Sequence, residues 1–240
     1  SILTDLSNRL ISARVNEYSN EFSVLNNEAY TFAISLSTTI NTFRETSDNP
    51  REDVVKYLKD TLASSDNILG VWTCWEPNKF DGKDNQYVNK ELHDSTGRYV
   101  PFIYKNGSSF ISESLVGYDS PTDGDYYFGA FNSKAPYTTS PFYYNVNGKD
   151  IPVYSISVPI IENGSVIGVI GADIDLSRIN SVMNQLTILE KGYIFTLSPD
   201  ESFATHNNES IILNNIYSTY LRDFADNLHD FSLIGGTISE

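Results

Sequence analysis

The sequence predicts a mixed α/β fold of the α+β kind: a long N-terminal helix, a central antiparallel sheet, and a second, smaller and incomplete sheet. Three observations carry this. Apolar residues recur at alternating steps of three and four across the first 45 residues. From residue 68 the pattern changes to short β-branched and aromatic runs. Asn-Gly pairs at 106–107, 147–148 and 163–164 separate several of those runs, a strong short-range hairpin signal.

The helical stripe is Val15, Tyr18, Phe22, Leu25, Ala29, Phe32, Leu36, Ile40 and Phe43, with no Pro or Gly to interrupt it. Such a stripe is longer than one small domain needs. It can line two domains stacked end to end, or pair with a copy of itself. "TSDNP" at 46–50 ends it, and a second helix follows to about Ala63, with Asp48 or Asn49 at its cap and Pro50 in its first turn. Strands are expected at 68–76, at 97–106 and 108–116, and then at 138–146, 151–161 and 166–174, making a sheet of about five strands with a short helix at 126–135. A helix over 175–186 begins at a capping Asp175. Residues 191–207 begin the second sheet around a Pro199-Asp200 turn, and 208–240 read as helical or irregular.

Composition narrows the function. Sixteen basic residues against 31 acidic give a net charge of −15, which disfavours nucleic acid and anionic membrane surfaces. The single cysteine, Cys74, permits no intrachain disulfide and reads as a small buried hydrophobe. With only three histidines, Cys/His zinc sites are excluded by count. No cofactor or metal is expected. There is no run of about 18 apolar residues, and "SILTDLSNRL" starts in mid-helix, as a piece of a longer protein would.

"NGSVIGVIGADIDLSRI" (163–179) poses the sharpest question, because glycines at 164, 168 and 171 can mark a phosphate loop. Here Gly168 and Gly171 fall inside an apolar strand entered by a tight hairpin, so the pairing is antiparallel and a nucleotide loop does not fit. Glycine within a strand marks close packing, for which the long helix is the expected partner. Asp173 ends the strand as a structural cap or a ligand anchor. The acids of "FDGKDN" and "DGDYY" read as solvated loops, since Asp81 and Asp84 lack the ligand alternation of a calcium loop. His206 reads as a structural or surface residue rather than a catalytic one. Trp72, Trp75, Tyr104, Tyr126, Tyr127, Phe142, Tyr144 and Tyr154 cluster in or beside the first sheet. Strand alternation sends Trp72 and Trp75 to opposite faces. Such rings with one carboxylate describe a pocket for an amine or a planar nitrogen heterocycle.

The ordered run "LGVWTCWEPNKFDGKDN", "TGRYVPFIY", "DYYFGA", "TTSPFYYNVNGK" and "SISVPIIENGSVIGVIGADIDLSRI" behind a long helix resembles the double Cache (dCACHE) sensor domain. That family is typical of bacterial methyl-accepting chemotaxis receptors and occurs on sensor kinases and cyclic-di-GMP enzymes. The resemblance implies two stacked PAS-like lobes: a signalling helix at 1–45, a membrane-distal ligand-binding lobe at 46–178 and a partial membrane-proximal lobe at 179–240. It implies an extracytoplasmic, non-enzymatic sensor, anchored in the membrane in the full receptor, homodimeric through the N-terminal helix, with a small-molecule partner. Members that bind amino acids use an Arg-x-Trp-Tyr motif, a later Asp and the strand-ending Asp. On this chain those positions fall on Gly124, Tyr126-Tyr127, Tyr144 and Asp173. The missing guanidinium argues against an α-carboxylate and for an organic amine or a purine or pyrimidine. Asp173, Tyr126 and Tyr127 are thus expected to bind it, with Trp72, Tyr104, Tyr144 and Tyr154 as walls. The alternatives are an amino-acid sensor on a kinase or cyclic-di-GMP enzyme, and an extracellular hydrolase.

Overall fold

The computed structural model describes residues 2–186, 192–198, 200 and 202–214. Helix α1 runs unbroken over Ile2–Thr46, as the uninterrupted stripe demands. It stops where Pro50 forces the preceding backbone out of helical geometry. Helix α2, Pro50–Ala63, then starts with Pro50 in its first turn. The expected cap differs: Asn49 stands at the cap position but makes no side-chain capping bond. Ser47 serves instead, accepting from the Asn49 amide at 3.0 Å and donating to the Asp53 carboxylate.

The sheet holds seven strands where about five were expected. They are β1 (Ile68–Trp75), β2 (Pro101–Asn106), β3 (Ser109–Ser114), β4 (Tyr137–Thr138), β5 (Phe142–Val146), β6 (Lys149–Glu162) and β7 (Ser165–Asp175), in the order β3-β2-β1-β7-β6-β4, with β5 also paired to β6. The run 138–146 divides at Pro141, which has no amide to donate to a ladder. Helix α3 spans Asp125–Ser133. Asn147-Gly148 and Asn163-Gly164 close their hairpins with both residues at positive φ (49° and 81°, 50° and 78°), the type I′ combination. The first hairpin turns one residue later than expected, through Gly107-Ser108, because Asn106 pairs with Ser109.

The strand glycines pack against something other than the long helix. Register places Gly171 opposite Trp72 and Gly168 opposite Trp75 on β1. A Cβ on Gly171 would lie 2.1 Å from the Trp72 ring, and one on Gly168 would lie 2.6 Å from the Trp75 ring. Each indole therefore lies flat across the neighbouring strand, in a slot that only glycine leaves open. Gly171→Ala is expected to destabilise the protein by about 1–3 kcal/mol through overpacking, read as a lowered denaturation midpoint. An unchanged midpoint would show that the indole swings away freely.

The described residues form two compact units. One contains residues 29–139 and 143–175, with the sheet, α2 and α3. Its core includes Leu36, Ile40, Leu58, Leu62, Ile103, Ile156, Ile170 and Ile174, and α2 packs on β1 and β2. Cys74 is fully buried there, as expected of a small hydrophobe. The other unit contains residues 2–28, 140–142 and the described residues from 176 onward, with α4 (Leu176–Met183), β8 (Thr196–Leu197) and β9 (Phe203–Thr205). There the Tyr18 and Thr205 hydroxyls hydrogen-bond at 2.5 Å. Buried His206 accepts from the Asn208 amide at 2.8 Å and packs its ring on Tyr193, Phe195 and Phe203, a structural role. The expected strand start at residue 191, Pro199 of the expected turn and residues 215–240 lie outside the described residues.

Candidate functional site

The ladder of the sheet assembles one row of side chains on the face that carries Trp72. Asp173 on β7 lies opposite Ser155 on β6 and Gly70 on β1, and Gly70 lies opposite Tyr104 on β2. The adjacent row on that face holds Ser157, Gly171, Trp72, Phe102 and Glu113. Helix α3 covers part of it. The Ser157 hydroxyl donates to the Tyr126 carbonyl at 2.6 Å, and the Tyr126 ring meets Trp72 edge-on, 5.0 Å between centroids.

Asp173 is the chemical centre of this face. It is 6% exposed. The Trp72 indole N–H donates to its Oδ1 at 3.0 Å, and the Ser155 hydroxyl donates to the same oxygen at 2.7 Å. Neither bond reaches Oδ2. Burial pushes the carboxyl up to about 6, and the Ser155 and Trp72 bonds pull it part of the way back. A half-saturated carboxylate in a dry, ring-lined setting can accept one strong N–H bond.

The other expected site residues divide. Trp72, 1% exposed, fixes the Asp173 carboxylate as well as lining the face. Tyr104 and Tyr144 meet edge-on at 5.3 Å, and the Tyr144 hydroxyl donates to Glu113 Oε1 at 3.0 Å. Tyr126 donates its hydroxyl to the Val116 carbonyl at 2.8 Å. Tyr127 is turned to a neighbouring cluster: its hydroxyl donates to Glu76 and accepts from Arg98 at 3.1 Å, while the Arg98 guanidinium also lies over the Tyr118 ring at 4.8 Å. Tyr154 faces away, because it pairs with Ile174 and so points to the side opposite Asp173. Sequence reasoning missed Ser155 and Glu113. Ser155 was legible as one of two serines, with Ser157, alternating with apolar residues in the run "VYSISV", whereas Glu113 needed the register of the first hairpin.

Gly124, where the resemblance puts a guanidinium, leaves no space for a side chain: a Cβ there would lie 2.7 Å from the Ser120 carbonyl oxygen and 2.9 Å from that of Gly117. Arg98 does not replace it, being engaged with Glu76 at 2.7 Å, Tyr127 and the Trp75 carbonyl. The acids of "FDGKDN" are not solvated as expected, whereas Asp123 and Asp125 of "DGDYY" are exposed. Arg51, at the start of α2, draws Asp81 and Asp84 inward with bonds of 2.6–3.0 Å, leaving Asp84 only 4% exposed. Among the described residues no group of three or more His, Cys, Asp or Glu is arranged to hold a metal ion. Because Tyr127 ties α3 to Glu76 and Arg98, Tyr127→Phe is expected to loosen α3. Faster amide exchange in residues 125–133, with α2 unchanged, is the readout; unaltered exchange would separate α3 from this cluster.

Residues 54–181, more than half of the chain, match the methyl-accepting chemotaxis protein-like first PDC sensor domain. The methyl-accepting chemotaxis protein TlpQ of Pseudomonas aeruginosa is 28% identical over 178 residues, covering 68% of this chain and 25% of that protein. The chain therefore spans about a quarter of the length of that relative. Among solved structures, the extracellular domain of mmHK1S-Z3, assigned as a histidine kinase, superposes with a TM-score of 0.78 at 25% identity, over 92% of this chain and 80% of that one. The ligand-binding domain of the Pseudomonas aeruginosa amino-acid chemoreceptor PctB in complex with L-Gln shares the fold alone, with a TM-score of 0.56 at 15% identity over 88% of this chain and 73% of that one. The long helix, the antiparallel sheet and the match across residues 54–181 agree: the chain belongs to the methyl-accepting chemotaxis protein-like PDC sensor-domain family.

Proposed function

We propose that this chain is the extracytoplasmic sensing domain of a membrane-anchored chemoreceptor, and that it binds a small nitrogenous molecule needing no carboxylate, an organic amine or a purine or pyrimidine. The observation that carries the reading is the Asp173 carboxylate, with Oδ1 held by Trp72 and Ser155 and Oδ2 left for a ligand N–H. Tyr126, Trp72, Tyr104 and Tyr144 supply faces and edges for a cation or a flat ring. The absence of a guanidinium at Gly124 disfavours an α-amino acid, the ligand class named for PctB. The kinship with TlpQ favours a chemoreceptor over a kinase output.

The unit built on the seven-stranded sheet serves as the distal lobe and the other as the proximal lobe, with α1 as the signalling helix and homodimer contact. Anchoring segments belong to the full receptor; no described helix is long and apolar enough to cross a membrane. A hydrolase reading loses its acids: Asp81 and Asp84 are paired with Arg51, and Asp125 accepts from Tyr137 at 3.0 Å. The test is a thermal-shift screen of amines, nucleobases and amino acids. A ligand at a hundred times its Kd should add about 2.7 kcal/mol of stability. Stabilisation by α-amino acids with no response to any amine or nucleobase would overturn the ligand class.

A further inference from the structure

We infer that the β5–β6 hairpin is a movable strap over the Asp173 face, latched by the Tyr144–Glu113 hydrogen bond, and that Glu113 favours cations at its mouth. The strap itself follows from topology; the cation preference rests on the amine reading above. Among the described residues strand β5 pairs with β6, which lies beside β7. Yet Tyr144 of β5 packs its ring on Phe102 and Tyr104 of β2 (5.5 and 5.3 Å) and donates to Glu113 of β3 at 3.0 Å. To land there from β6, the hairpin must span the width of β7 and β1, the strands of Asp173 and Trp72, at the end of the sheet where Asp173 stands.

The arm is lightly held. The β6–β7 ladder ends at Val153↔Asp175, so residues 149–152 extend past β7. The tip closes on itself, with Asn145 donating to Asp150 at 2.6 Å and Gly148 donating its amide to Asn145 at 2.9 Å. The tip, residues 147–150, is exposed, and such a segment opens at lower cost than the sheet beneath it. Glu113 is exposed at the sheet edge. A cation can take over the carboxylate from the Tyr144 hydroxyl as the latch opens. An anion meets Glu113 and then Asp173, both acids on the same face.

Trp72 reports on the strap without any knowledge of the ligand, because only two tryptophans exist and Trp75 lies on the opposite face. In a Trp75→Phe background, quenching of Trp72 fluorescence by acrylamide should rise several-fold on adding Tyr144→Phe. It should fall when Glu113→Cys and Tyr144→Cys are bridged by a reducible bis-maleimide long enough to span the Tyr and Glu side chains they replace, and recover on reduction. Each normalised to its quenching of free N-acetyltryptophanamide, caesium should quench more than iodide, and Glu113→Gln should narrow that ratio. Acrylamide quenching indifferent to both changes would overturn the strap; equal quenching by the two ions would overturn the cation preference. Should Trp75→Phe fail to fold, amide exchange of residues 143–150 in Tyr144→Phe against the parent protein decides instead, with faster exchange supporting the strap and identical exchange overturning it. Because these probes need no bound amine, a failed amine screen beside a positive quenching result would reject the ligand class and leave the strap standing.

Discussion

Asp173→Ala is expected to abolish binding of the amine or nucleobase that the thermal-shift screen identifies, with a loss of about 3 kcal/mol or more, at least a hundredfold in Kd by calorimetry. The charge-assisted bond to Oδ2 has no second acid in the row of Asp173, where Ser155 and the Trp72 indole of the adjacent row are donors already directed at Oδ1. Asp173→Asn tests the charge alone. It keeps an acceptor for Trp72 and Ser155 and removes the anion, so a cationic ligand should be lost nearly as completely. Unchanged affinity in either variant would remove Asp173 from the site.

The same residue sets a pH dependence. Burial raises its pKa from 3.8 to about 6, so the folded protein holds a proton that the unfolded chain has released between about pH 4 and 6. Affinity for a cation should therefore be level above pH 7 and decline as pH falls through about 6. Stability runs the other way. The contribution of this carboxyl is greatest below the unfolded value and is lost as pH rises through the folded one. At about 1.4 kcal/mol per unit, the charged carboxylate costs the empty protein up to about 3 kcal/mol at neutral pH. Asp173→Asn should thus be more stable than the parent at pH 7.5, and the advantage should shrink towards pH 4. A variant that loses binding while gaining stability separates a ligand anchor from a structural cap.

Much of this was legible in the chain because its signals are local. The apolar stripe fixed α1, and two of the three Asn-Gly pairs placed their hairpins to the residue, since positive φ at two successive positions admits few other pairs. Asp173 stood out as an acid in an apolar strand, although β7 runs on to Asp175. What could not be read depended on register. The partners of Gly168 and Gly171 are rings about a hundred residues away in sequence, brought opposite by the antiparallel pairing of β1 and β7. Tyr154 counts as one more aromatic until parity turns it to the far face. Asp81 and Asp84 look solvated in "FDGKDN" because nothing nearby in sequence announces that Arg51 will draw them in.

That buried pair yields the largest expected loss of stability. Arg51, 5% exposed, donates to Asp81 through two nitrogens at 3.0 and 2.6 Å, to Asp84 at 2.7 Å and to the Gly97 carbonyl at 3.2 Å, with its guanidinium over the Tyr87 ring at 4.1 Å. Arg51→Ala leaves Asp84 buried without its cation, and such a loss costs about 3–5 kcal/mol in urea denaturation. Arg51→Lys should recover only part, because a point charge cannot reproduce the fork or lie flat on Tyr87. The pH response has a definite sign. Burial alone would raise Asp81, but the Arg51 bonds outweigh it and hold the carboxyl below 3.8, so the pair's contribution is present above that value and fades as pH falls through the lowered one. Pairing Arg51→Met with Asp84→Leu should be less harmful than Arg51→Met alone, since the penalty lies in the orphaned carboxylate. If the double variant were the worse of the two, the ion pair itself would be the stabilising element. Ligand affinity per folded molecule should barely move in any of them, because the groups that fix Asp173 stand on β1, β6 and β7, whereas Arg51 fastens the loop between β1 and β2.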